Sequence, residues 1–179
     1  MKSRWRVFET SIAGGRGESI LEAVAIWRTE EDNWRMTVAA ITAVLGGRKV
    51  LKRSVASDTD LRVMTREGLP VGTLSTLAEE LNVERKTLAK VVGISDRTLS
   101  RRLATGSKLS AEESDRTMRV ARVFAGAKET LGTAEKASRW LQKSNLALGG
   151  HVPLDLLDTD AGVREVETIL NRIEYGIYS

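Results

Sequence analysis

Arg97, Thr98, Arg101, Arg102 and Lys108 are the side chains of this chain best placed to do chemistry, and that chemistry is non-covalent recognition. Arg97 and Arg101 lie four residues apart, so on a helix they project from one face, where guanidinium groups suit base edges or phosphates in a DNA major groove. Arg97 and Thr98, near the helix start, are the candidates for base contact; Arg101, Arg102 and Lys108 are the candidates for phosphate. Asp96 opposes phosphate unless it caps the helix or reads a cytosine amine. The competing reading makes all of these ordinary solubilising residues on a helical bundle. A second candidate site is the chain end, Tyr175-Gly176-Ile177-Tyr178. Two tyrosines and an isoleucine are costly to leave in water together, and insertion into a cleft would relieve that cost.

Catalysis finds no support in the residue types. The sole histidine, His151, has no cysteine available as nucleophile or co-ligand, because the chain contains none. It reads as loop packing or a polar cap rather than a base or a metal ligand. Asp155, Asp158 and Asp160 do not follow the spacing of a calcium loop, and no glycine supplies its central turn. Gly14-Gly15 and Gly46-Gly47 lack the remaining glycines and the lysine of a phosphate loop, so both read as turns. The expectation is a non-enzyme that needs neither metal nor cofactor.

The elements that must hold the arginines follow from apolar spacing. Leu74, Leu77, Ala78 and Leu81 share a helix face that closes near Asn82. A second helix runs from about Arg85 to Val92, Gly93 makes the turn, and Ser95 caps a third helix. Helix, tight glycine turn and capped helix are what a helix-turn-helix requires, here spanning about 74–103. Leu88, Val92, Ile94 and Leu99 would interdigitate, while Ala89 and Gly93 are the positions where steric room decides the fold. Where the third helix should next turn an apolar side chain inward, the residue is Arg102 and the apolar one is Leu103; a slight rotation or an early helix end could reconcile the two.

Upstream, Ala13–Gly17 reads as a flexible interruption and Glu18–Trp27 as a short helix. Trp5, Trp27 and Trp34 argue that part of this segment folds onto something. A helix over 36–45 should end at Gly46-Gly47, leaving Arg48, Lys49, Lys52 and Arg53 as a basic patch, and another from Ser57 or Thr59 to Arg66 should turn Leu61 and Met64 inward. Downstream, Ser110 and Glu113 form a capping-box pattern at the start of a long helix reaching toward Leu131. Ala134–Leu141 follows, with Ala137, Trp140 and Leu141 directed inward and Trp140 read first as a core anchor, though its indole could face a partner instead. Gly149, Gly150 and Pro153 shape a connector, and Thr159 or Asp160 caps a last helix whose face carries Val163, Val166, Ile169, Leu170 and Ile173.

The fold class expected is all-α, in three parts: an N-terminal extension over 1–35, partly flexible; a helical body over 36–122; and a unit over 123–179 ending in the tail. With 179 residues, 41% hydrophobic and 4% aromatic, the core should be built from Leu, Val, Ala and Ile. Net charge is only +4, yet residues 68–122 hold ten basic and seven acidic side chains and 123–179 hold six and eight. The middle therefore leans toward phosphate and the end away from it. No stretch approaches the ~20 apolar residues that span a bilayer, so the expected location is cytoplasmic, with no membrane partner.

Trp140-Leu141, Asn145, Leu148-Gly149-Gly150, Pro153-Leu154-Asp155-Leu156-Leu157, Thr159, Gly162 and Val166 through Ile173-Glu174-Tyr175-Gly176 together resemble the toxin-binding domain of the Xre/MbcA/ParS antitoxin family. Residues from about 36 onward look like the usual body of its Xre-type members. The resemblance implies an antitoxin of a bacterial type II toxin-antitoxin pair whose RES-domain toxin consumes NAD and is neutralised when the antitoxin covers its catalytic cleft. It also implies pairing into a homodimer and autoregulation by binding promoter double-stranded DNA. Carried over residue by residue, Arg97, Thr98 and Arg101 fall on the DNA face and Tyr175, Gly176, Ile177 and Tyr178 on the inserting tail, flanked by Arg172 and Glu174. The competing function is a helix-turn-helix transcriptional regulator whose C-terminal unit serves dimerisation alone.

Overall fold

The computed structural model describes residues 38–174; the readings made for 1–35 and for Tyr175, Gly176, Ile177 and Tyr178 lie outside them. The described residues are all-α. Residues 38–44 form α1, followed by α2 (Gly47–Leu51), α3 (Asp58–Glu67), α4 (Gly72–Glu80), α5 (Arg85–Val92), α6 (Asp96–Thr105), α7 (Ala111–Leu131) and α8 (Ala134–Gln142). Two 3-10 turns, Leu146–Leu148 and Pro153–Asp158, lead into α9 (Asp160–Glu174). Extended pairing among these residues is limited to one bridge, Pro70 with Lys108, where Leu109 N–H donates to the Leu69 carbonyl at 2.8 Å.

The long helix α7 is the centre. Its start is fixed by the expected capping box: Ser110 Oγ accepts from Glu113 N–H at 3.2 Å, and the Glu113 carboxylate accepts from Ser110 N–H at 2.7 Å. Val120, Ala121, Val123, Phe124, Ala125 and Ala127 are all buried, and α3, α5, α8, α9 and the Pro153–Asp158 turn pack around it. A helix surrounded on so many sides must also satisfy its buried polar groups. Ser114 Oγ accepts from Leu69 N–H at 2.8 Å, and the Thr117 hydroxyl donates to the Glu113 carbonyl at 2.7 Å. Buried hydrophobics from Val38 to Leu170 form one continuous cluster, with leucines and valines dominating and Phe124 the largest fully enclosed side chain.

The Gly46-Gly47 pair behaves differently from the expectation. Both residues take left-handed conformations, φ 91° and 56°, but the chain re-enters helix at once as α2. The reversal brings Val50 against Gly46 and buries Leu51, so the apolar surface gained outweighs the break. The expected basic patch is thereby divided: Arg48 and Lys49 are exposed on α2, while Arg53 pairs with Glu67 at 3.0 Å. In α3, Ser57 caps with Asp60 as its reciprocal partner, and Leu61 and Met64 are buried.

Thr159 rather than Asp160 supplies the cap of α9, its hydroxyl oxygen accepting from Gly162 N–H at 3.2 Å. Val163, Val166, Ile169 and Leu170 are buried and Ile173 half-buried. Gly162 sits against the backbone of Leu156, so that a β-carbon there would run into the Leu156 carbonyl. Replacing Gly162 with Ala should therefore destabilise the fold by about 1–3 kcal/mol through overpacking. Thermal unfolding followed by circular dichroism should show a midpoint lower by several degrees; an unchanged midpoint would mean that the close approach carries no strain.

Candidate functional site

The pair α5–α6 is assembled by steric contact first and charge second. Leu88, Ala89 and Val92 are fully buried and Ile94 and Leu99 nearly so, while Gly93 takes φ 82° and Ile94 N–H donates to the Ala89 carbonyl at 2.8 Å. Ser95 Oγ accepts from Thr98 N–H at 3.3 Å, fixing the start of α6. Its hydroxyl also bonds to Thr98 Oγ1 at 3.0 Å, so the Thr98 side chain is half-buried and partly engaged.

Arg97 and Arg101 are exposed, and neither forms an ion pair among the described residues. Lys108 is exposed too, at the bridge that returns the chain beside Pro70. Asp96 is also exposed, 3.9 Å from Lys86 of α5. Residues on α5 that sequence reasoning passed over, Arg85, Lys86 and Lys90, are exposed as well. A face with cations from two helices and their following loop is what phosphate contact needs.

Arg102 is placed otherwise than expected. Its guanidinium pairs with Glu113, and both side chains are less than a fifth exposed. Phosphate would have to displace this interaction, so Arg102 belongs to the scaffold of the face and not to its contact surface. The pairing also explains how an arginine occupies a position where an apolar side chain is expected: Glu113 neutralises it, and Leu103 packs half-buried beside it. Partial burial acts to raise the Glu113 carboxyl, but hydrogen bonds from Arg102 and Ser110 outweigh it and hold the group below its ordinary value.

Arg116 is a positioning residue invisible to the sequence reading. Its guanidinium donates to the Val92 carbonyl at 3.3 Å and to Glu112 at 2.6 Å, lying where a side chain at Gly93 would fall. Only its spacing from Glu112 was legible; a contact across 24 residues leaves no local pattern.

At the other end, Trp140 is half-buried rather than enclosed, and it lines an open groove with Leu131, Lys136, Arg139, Lys143, Ser144 and Asn145. The inward stripe of α8 is Ala137, Ser138 and Leu141, which leaves Trp140 at its edge. Ser138 was not anticipated. Its hydroxyl donates to the Leu81 carbonyl, joined there by Gln142 Nε2 at 2.9 Å, and so fastens α8 to the end of α4.

The connector after α8 closes on itself. Gly150 N–H donates to the Asn145 carbonyl at 2.9 Å and Asn145 N–H to the His151 carbonyl at 3.0 Å, with Gly149 and Gly150 at φ 65° and 83°. Pro153, Leu154 and Leu157 are buried, whereas His151 is exposed. No group of three or more potential metal-ligating side chains occurs among the described residues. Arg172 and Glu174 are exposed at the end of α9, from which the tail departs.

Comparison with known proteins decides what these two ends belong to. Over 125 residues the chain is 32% identical to "Antitoxin Xre" of Photorhabdus laumondii, covering 69% of this chain and 84% of that protein. The chain belongs to the Xre antitoxin family. Residues 60–122 match the antitoxin Xre-like helix-turn-helix domain, and residues 126–176 match the antitoxin Xre/MbcA/ParS C-terminal toxin-binding domain. "Antitoxin Xre" of Pseudomonas putida is 33% identical over 125 residues, 68% of this chain and 76% of that protein. A "Prs ADP-ribosylating antitoxin" of Sphingobium is 27% identical over 133 residues, 69% of this chain and 84% of that protein. In this Xre-family chain, α7 runs from the first matched domain into the second.

Because folding favours the ionised Glu113, its contribution is complete above the ordinary glutamate value of 4.5 and is lost as pH falls through the lower folded value. Glu113→Gln should thus lower stability at pH 7 by about 1–2 kcal/mol. The gap between the urea midpoints of the two proteins should narrow as the pH is taken below 4.5; a gap independent of pH would refute the charged pairing.

Proposed function

We propose that this antitoxin neutralises a RES-domain toxin that consumes NAD, by covering the toxin's active-site cleft with its C-terminal unit and inserting the Tyr175-Gly176-Ile177-Tyr178 tail. The observation that carries the reading is the match of residues 126–176 to a toxin-binding domain, which runs through the end of α9 and into that tail. The Sphingobium relative's name refers to ADP-ribosylation, a reaction whose usual donor is NAD, and so agrees with NAD chemistry in the partner. Arg172 and Glu174 flank the tail and tune encounter, while the apolar side chains hold the complex, because exposed ion pairs are screened. The chain itself performs no catalysis. It is a type II antitoxin acting in the cytoplasm.

The same chain represses its own promoter as a homodimer. Arg97 and Thr98 make the base contacts, and Arg101 and Lys108 the phosphate contacts, with Arg102 confined to pairing with Glu113. An α6 that is capped, fixed by Arg116 through the turn and exposed on its arginine face supports this assignment. Two identical α6 helices related by a twofold axis would read a palindromic operator.

Two measurements separate the activities. Ending the chain after Ile173 should abolish protection of cellular NAD when the cognate toxin is co-expressed, yet leave promoter binding intact; full protection by the shortened chain would overturn the tail assignment. Arg97→Ala with Arg101→Ala should leave NAD protection intact, weaken promoter binding by roughly 10- to 100-fold and reduce the salt dependence by about two released counterions. Unaltered operator affinity in that variant would remove α6 from the DNA interface.

A further inference from the structure

The C-terminal unit is divided by sign in a way that its overall acidity conceals. Residues 131–150 hold three basic side chains and one acidic, whereas residues 151–174 hold two basic and six acidic. The three cations, Lys136, Arg139 and Lys143, are exposed around the groove where Trp140 is half-buried, and none forms an ion pair among the described residues. The lone acid, Glu135, is occupied at the start of α8, where its carboxylate is held low by its own backbone amide and the Thr133 hydroxyl. Beside the groove stands Leu146, 94% exposed.

An exposed leucine alone needs no explanation. This one sits on a closed loop: Asn145 Oδ1 accepts from Ala147 N–H at 3.0 Å, Gly149 N–H donates to the Leu146 carbonyl at 3.1 Å, and His151 N–H to the Leu148 carbonyl at 3.2 Å. The loop packs on α9, the helix that leads into the tail, while Leu148 is buried. Leu146 is therefore held out rigidly at low entropic cost to a partner, next to a tryptophan and ringed by cations. Aromatic and aliphatic anchors with a charged rim are the anatomy of a protein-binding patch.

We infer that Leu146, Trp140 and the cations Lys136, Arg139 and Lys143 form a second docking surface for the toxin, one that grips an acidic, apolar-anchored surface outside the catalytic cleft. The inference rests on the proposed antitoxin function and deepens it. Its occupant is the toxin because the patch lies wholly within the matched toxin-binding domain and adjoins α9. Charge requires the two contacts to differ. A cleft that binds an anionic dinucleotide is basic and complements the acidic α9 side; the basic α8 groove needs an acidic surface elsewhere on the same partner.

The test uses the full-length chain, purified with the protein encoded by the adjoining gene as the toxin, in three forms: wild type, Leu146→Glu, and Lys136→Glu with Arg139→Glu and Lys143→Glu. All the altered side chains are exposed, so thermal midpoints and promoter binding should stay at wild-type values. Leu146→Glu should speed dissociation from the toxin at least tenfold. The triple reversal should slow association, and the salt dependence of association should fall or reverse. Wild type that fails to bind the toxin would defeat the antitoxin reading itself. Toxin binding by wild type with no kinetic change in either variant would overturn only the groove. A change in sedimentation behaviour of the chain alone, with toxin kinetics untouched, would assign the patch to self-association and also overturn the inference.

Discussion

Helix α7 must satisfy two sets of neighbours at once, and the rest of the structure follows from how it does so. Along its first two turns it serves the helix-turn-helix: Glu113 neutralises Arg102 on α6, Ser114 accepts from the Leu69 amide, and Arg116 holds the Val92 carbonyl. Further along it serves α9, through Arg119 to Asp160 and Arg122 to Glu167, both at 3.3 Å, and through the apolar stripe that includes Phe124. Lys128 then reaches back to Glu80 of α4 at 3.1 Å and lies 5.5 Å from the centre of the Phe124 ring. The exposed pairs contribute little energy singly. The buried stripe supplies the stability, and the polar contacts fix which way each neighbour faces.

A consequence is that the matched DNA-binding and toxin-binding domains are not joined by a slack linker. The family boundary between residues 122 and 126 falls inside α7, where Val123, Phe124 and Ala125 are buried. Ser138 and Gln142 add a second tie, from α8 to the carbonyl that closes α4. Relative motion of the two ends would have to break a helix and expose part of a continuous core, which costs far more than flexing a surface linker.

Much of this was legible in the chain because it is written in short-range pattern. Ser110 with Glu113, Ser57 with Asp60, Gly93 after Val92 and the spacing of Val163, Val166, Ile169 and Leu170 are signals contained within a helical turn or two, and local hydrogen bonding and steric room are enough to realise them. What the pattern could not convey is contact between distant segments. Arg102 resembles any cation of a recognition helix until Glu113, eleven residues on, is folded against it. Ser138 resembles a surface serine until the end of α4 arrives, and Trp140 resembles a core residue until α8 is rotated so that Ala137 and Leu141 take the inside. Gly46-Gly47 misleads for the related reason that a glycine pair marks a break in local geometry, while burial of Leu51 decides what the chain does next.

The placement of Arg102 also bears on how the DNA face must work. With that guanidinium committed to Glu113, α6 offers two unpaired arginines, Arg97 and Arg101, and the nearby loop adds Lys108. Neutralising so few phosphates gives one copy of the chain a shallow salt dependence and weak affinity at physiological ionic strength. Asp96, exposed at the start of the same helix, reduces the local potential further, and Lys86 at 3.9 Å offsets it only in part. Tight operator binding under the proposed function therefore depends on two copies acting together, since a paired face doubles the phosphate contacts and makes the second half-site contact effectively intramolecular. An antitoxin built this way has sensitive repression: its promoter affinity depends on its own concentration more steeply than that of a chain whose single copy already binds well.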